Sequence, residues 1–128
     1  MSKDLRDQDY LEHIQSAIDK IHRYVAGKSK SDFMADDLVQ DGVIRNLEII
    51  GEAVTKLSSA LKIAHSDVPW GEISGMRNRL IHGYINVNMQ IVWNTVEKVL
   101  PGFLAKVKSI KCEIGASPSK KPNRPSPI

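Results

Sequence analysis

Cysteine is almost missing from this chain. A single residue, Cys112, cannot form an internal disulfide, and that usage points to a reducing cytoplasm. No uninterrupted apolar run approaches the ~18 residues of a membrane span, and the N-terminus has no signal-peptide pattern. A soluble cytoplasmic protein without a membrane partner is therefore expected. Aromatic residues make up only 5%, so the core must be built from aliphatic side chains. Proline is scarce before residue 118, with only Pro69 and Pro101 there. Net charge is missing from the same stretch. The formal charge of +3 is supplied by the tail, where Lys111, Lys120, Lys121 and Arg124 outnumber Glu113. Electrostatic steering by the whole body toward nucleic acid is not supported.

What is present is helical periodicity over a length of 128 residues, enough for one domain with one core. Leu11, Ile14, Ile18, Ile21 and Val25 recur at three- and four-residue steps, predicting an amphipathic helix over about 5–26 that stops at Gly27. Asp4, Asp7 and Asp9 suit its positive N-terminal end. After a polar connection, Lys28 to Asp32, a second helix is expected over about 33–58. Its stripe is Val39, Val43, Leu47, Ile50, Val54 and Leu57. Leu38, Ile44, Ile49 and Ala53 widen that stripe, which places the helix centrally or at a subunit interface. Asp36, Asp37 and Asp41 read as first-turn dipole complements rather than metal ligands.

Residues 58–71 read as a connection with a short turn of helix at Ala60–Ala64. A third helix starts near Pro69-Trp70 and reaches about His82. Ile85 to Asn88 read as a turn, with Asn88 the N-cap of a last helix over about 88–110. Pro101 and Gly102 interrupt that helix, so a kink near Leu100 or two consecutive helices are expected. The fold expected is all-α, an antiparallel bundle of four to five helices over 1–110, followed by a Pro/Ser/Lys-rich tail over 111–128 that cannot bury a core.

The chemistry is concentrated in Gly75-Met76-Arg77-Asn78-Arg79-Leu80-Ile81-His82-Gly83-Tyr84. Arg77 can hold a phosphate bidentately, and His82 can move a proton near neutral pH. On a continuous helix the two positions lie roughly 140° apart. Either the helix unwinds at Gly83 or the site needs a second copy of the segment. Taken alone, Arg77 and His82 read first as structural, a cation near a helix C-terminus being a dipole partner, and Tyr84 reads as a half-buried anchor. Arg79 reads as a surface or RNA-contacting charge, and Asn78 as a group that orients the arginine or donates to a phosphate oxygen. Trp70 and Trp93 read as core or interface. His13, His22 and His65 share no ligand-like spacing, so no metal and no cofactor is assigned.

Arg77, four residues, His82, one residue and Tyr84 resemble the RX4HXY signature of the HepT-type HEPN ribonuclease toxins. Arg45 to Ala53 resemble that family's long central helix, and Pro69-Trp70 with Ile91 to Trp93 resemble the segments flanking the motif, so the likeness covers roughly residues 4–110. The resemblance implies a HEPN-like homodimer and metal-independent RNA cleavage by Arg77 and His82 in a cleft at the dimer interface. Asn78 and Arg79 would support RNA binding. It also implies a toxin–antitoxin pairing, in which an MNT-type nucleotidyltransferase antitoxin transfers AMP to Tyr84. The competing reading is a non-catalytic helical dimer that binds a nucleotide or a partner nucleotidyltransferase.

Overall fold

In a computed structural model of the chain, residues 3–82 and 88–115 are described, of which 3–5, 77 and 79–82 by backbone alone. Every regular element among them is helical. The first helix, α1 (Lys3–Val25), turns Leu11, Ile14, Ile18 and Ile21 fully inward, as its stripe requires. It ends at Gly27, whose φ of 74° is a left-handed conformation that glycine adopts without a Cβ clash.

The stretch expected to be a plain polar connection instead contains a short helix, α2 (Lys30–Met34). Ser29 and Asp32 form a reciprocal cap. The Asp32 amide donates to Ser29 Oγ at 3.1 Å, and the Ser29 amide donates to Asp32 Oδ2 at 3.0 Å. That donated amide holds the Asp32 carboxyl below its ordinary pKa. The central helix, α3 (Asp37–Lys56), therefore begins later than its periodicity suggests, because Asp36 caps it by accepting from the Val39 amide at 3.1 Å. Gln40 donates to the carbonyls of Phe33 and Met34, which the end of so short a helix leaves without intrahelical partners.

Helix α3 is central, packing against both α1 and α5 (Trp70–His82). Val43, Leu47, Ile50, Val54 and Ala53 are buried, but Leu38 is 81% exposed and does not join the core. Helices α1 and α3 run antiparallel. At one end the Ser58 amide and hydroxyl donate to the buried Asp7 carboxylate at 2.8 and 2.7 Å. At the other, Gly42 lies so close to Tyr24 that a Cβ there would sit 3.0 Å from the ring. Ser58 also caps α4 (Ser59–Ala64).

Asn88 caps α6 (Met89–Asn94), accepting from the amides of Gln90 and Ile91. The disturbance expected around Pro101 takes the form of a π-helical turn, Thr95–Val99, in which the Leu100 amide reaches back five residues to the Thr95 carbonyl. The widened turn accommodates a proline that has no N–H to donate and whose ring would crowd the preceding carbonyls. Helix α7 (Leu100–Gly115) follows, burying Phe103, Val107 and Ile110. It continues past Ile110. Lys111 donates to Gln15 at 2.7 Å and pairs with Glu12 at 3.0 Å, and Glu113 lies 3.1 Å from His65. No helix among the described residues is long and apolar enough to cross a membrane.

Candidate active site

Helix α5 is held at its start by the residues that precede it. Val68 is buried, and the Trp70 indole N–H donates to the His65 carbonyl at 3.0 Å. The Trp70 ring meets Phe103 of α7 edge-on at 6.0 Å, and both rings are buried. Asp67 accepts from Lys106, which keeps its carboxyl below the usual range and ties the same loop to α7. Ile73 is buried one turn later, and Met76 packs against the core. Tryptophan, isoleucine and methionine at three-residue steps thus fix how α5 rotates against α3.

From that anchored start the helix runs without a break to His82. It carries the backbones of Arg77, Asn78, Arg79 and His82, four of the five residues singled out in the sequence. Asn78 is exposed. The side chains of Arg77, Arg79 and His82, and the whole of Gly83, Tyr84 and the turn expected at 85–87, lie outside the described residues. Helical arithmetic applies to the backbone alone, and it leaves positions 77 and 82 roughly 140° apart around the axis.

Elsewhere, no group of three His, Cys, Asp or Glu side chains with the geometry to hold a metal ion occurs among the described residues. Two features escaped the sequence. One is the buried Asp7, whose partner Ser58 lies 51 residues away. The other is Asn46, 4% exposed in the middle of α3, which donates to the Gly42 carbonyl at 2.9 Å. An asparagine inside an aliphatic stripe was the available signal for it.

A protein-family model described as "Ribonuclease HepT-like" matches residues 14–110. A protein of Caldanaerobacter subterraneus subsp. tengcongensis named "Putative RNase" is 45% identical over 101 residues, covering 79% of this chain and 90% of its own. "Probable ribonuclease HepT" of Thermococcus cleftensis is 38% identical over 104 residues, covering 81% of this chain and 94% of its own. No solved structure gives a significant match.

Proposed function

The chain belongs to the HepT-like ribonuclease family, and from that premise we propose that it is a metal-independent endoribonuclease acting through Arg77 and His82. One observation carries the reading. The family match spans 14–110 and so includes all of α5, the anchored helix that bears both residues. In the proposed step His82 accepts the proton of a ribose 2′-hydroxyl as the 2′-oxygen attacks the adjacent phosphorus. The bond from phosphorus to the 5′-oxygen breaks, and a second histidine protonates the leaving oxygen. Products are a 2′,3′-cyclic phosphate and a 5′-hydroxyl. Arg77 stabilises the charge that gathers on the phosphoryl oxygens, and Asn78 and Arg79 hold the flanking strand.

Acid and base together need two histidines, so the active form is a homodimer with two α5 segments facing across a twofold axis. The physiological role proposed is that of a toxin neutralised by an MNT-type nucleotidyltransferase. That partner would transfer AMP to the Tyr84 hydroxyl and fill the phosphate site with a bulky anion.

The test is cleavage of labelled RNA in EDTA by wild type, His82→Ala, Arg77→Ala and a refolded mixture of the two variants. Wild type is expected to cleave, each variant to lose 10²-fold or more, and the mixture to stay far below wild type, because a mixed dimer holds only one His82. Cleavage by His82→Ala at the wild-type rate sinks the mechanism. For the partner, Tyr84→Phe is expected to keep activity and escape neutralisation by the cognate transferase with ATP and Mg²⁺. An AMP mass on another residue would remove Tyr84 from the account.

A further inference from the structure

Three adjoining hollows run along the seam between α1 and α3. The first, about 200 Å³, is lined by Arg6, Asp7, Lys56, Ser58 and Ser59. It shares Lys56 with a larger one of about 350 Å³, bordered by Tyr10, His13, Arg45, Glu48 and Glu52. That one shares His13 and Ile49 with a third, about 170 Å³, which reaches Ser16, Lys20 and Asn46. From Arg6 to Lys20 the groove follows fourteen residues of α1, or ~21 Å of helix.

Its chemistry is ordered along that length. Arg6 and Lys56 stand at one end beside the Asp7 carboxylate, with Lys56 paired to Glu52 at 3.5 Å, and Lys20 and Arg45 stand at the other. Arg45 is 71% exposed and only loosely paired, at 3.8 Å from Glu48. Between the ends lie an aromatic pair and the two acids. Tyr10 and His13 meet edge-on with ring centres 6.1 Å apart. The acids keep phosphates out of the middle, but carboxylates accept well from the exocyclic amines of bases.

Asn46 is the observation that separates this groove from an ordinary charged surface. Its amide is buried in the groove wall, and one Nδ2 hydrogen goes to the Gly42 carbonyl. Among the described residues Oδ1 has no partner. A buried acceptor costs stability unless something completes it. A donor on a bound base would complete that acceptor.

We propose that the groove between α1 and α3 binds a single-stranded segment of the RNA substrate away from the scissile bond. Phosphates sit at the two cationic ends, and bases lie against Tyr10, His13 and the Asn46 amide. This rests on the ribonuclease reading above, and deepens it by giving the substrate strand a second place of contact. Stacking on ring faces with cations at the margins is the usual chemistry of single-strand binding.

The test measures binding apart from cleavage. Fluorescence anisotropy is followed with a labelled 12-nucleotide single-stranded RNA and the full chain carrying His82→Ala. Adding Lys20→Ala and Arg45→Ala is expected to weaken binding about tenfold at low salt and to reduce the slope of log K against log salt by about 1.4. The control pair Lys30→Ala and Lys62→Ala, on α2 and α4, is expected to change neither. An abasic oligonucleotide of equal length is expected to bind more weakly than the RNA. Wild-type affinity in the Lys20/Arg45 variant, or equal binding of the abasic strand, overturns the proposal. A wild-type protein that binds RNA here but cleaves none overturns the ribonuclease reading instead.

Discussion

The contact between Asp7 and Ser58 gives the most direct test of how this bundle is held. Asp7 is 4% exposed, and its two oxygens each accept one hydrogen bond, from the Ser58 amide at 2.8 Å and the hydroxyl at 2.7 Å. A hydrogen bond to a charged group contributes about 1.5–3 kcal/mol. Replacing Asp7 with alanine removes two and leaves a half-buried amide without its acceptor. Water reaching Ser58 offsets part of that loss, so Asp7→Ala is expected to cost about 2–4 kcal/mol. With an unfolding entropy of about 2.1 cal/mol/K per residue, the melting temperature should fall by about 7–15 °C. Asp7→Asn keeps the shape and one acceptor, and should cost about half as much. The assay is urea unfolding of Asp7→Ala, Ser58→Ala and the double variant. Ser58→Ala also loses the cap on the Leu61 amide, worth about 1 kcal/mol. The coupling between the two substitutions should still exceed about 1 kcal/mol. Additive effects, or an Asp7→Ala cost below about 0.5 kcal/mol, would show that the carboxylate does not join α1 to the end of α3.

Other substitutions test the packing and the charges. Glycine to alanine should have opposite signs at two helical positions. At Gly102 a Cβ meets nothing within 4 Å, so the change should stabilise by up to about 1 kcal/mol, whereas at Gly42 it meets the Tyr24 ring and should destabilise. Chemical denaturation reads both. Asp67 has its pKa lowered from 3.8, chiefly by the hydrogen bond from Lys106. A lowered folded-state pKa gives stability that is present above the unfolded value and lost as pH falls through the folded one. The melting-temperature gap between wild type and Asp67→Asn should therefore be level at neutral pH and close below about pH 4. Truncation after Gly115 should leave the melting temperature unchanged. Truncation after Ile110 should lower it, since Lys111 and Glu113 then no longer reach Glu12, Gln15 and His65.

Much of this fold was legible because burial repeats at helical spacing. The stripes on α1, α3 and α7, the stop at Gly27, the cap at Asn88 and the two buried tryptophans follow from residue type and interval alone. What was not legible depends on partners distant in sequence. Asp7 looks like any acid in the opening turns of a helix, and nothing near it names Ser58. Leu38 fits the apolar pattern of α3 but is 81% exposed, since the pattern alone does not say which side of a helix a neighbour covers. The π-helical turn is a third case: Pro101 announces a disturbance, while the form of the solution depends on how Thr95 to Leu100 can widen. At the site, the helical setting of Arg77 and His82 was legible from spacing. The Asn46 wall was not, since only packing tells a buried amide from an exposed one.

The rotation of α5 bears on how the proposed site is assembled. Ile73 faces the core and Asn78 faces solvent, which fixes two directions on the helix. Counting about 100° per residue, position 77 lies roughly 40° from Ile73, and position 82 lies roughly 40° from Asn78. The helix runs unbroken between them, so the two backbone positions stay roughly 140° apart around its axis. A phosphate and a proton-transfer group must meet within hydrogen-bonding distance of one substrate. A lone helix in this register does not bring positions 77 and 82 to a common side. A second copy of the segment would bring its own positions 77 and 82, so that a residue of one protomer can meet a residue of the other. That angle, together with the need for two histidines, is why the proposed site is drawn between two protomers.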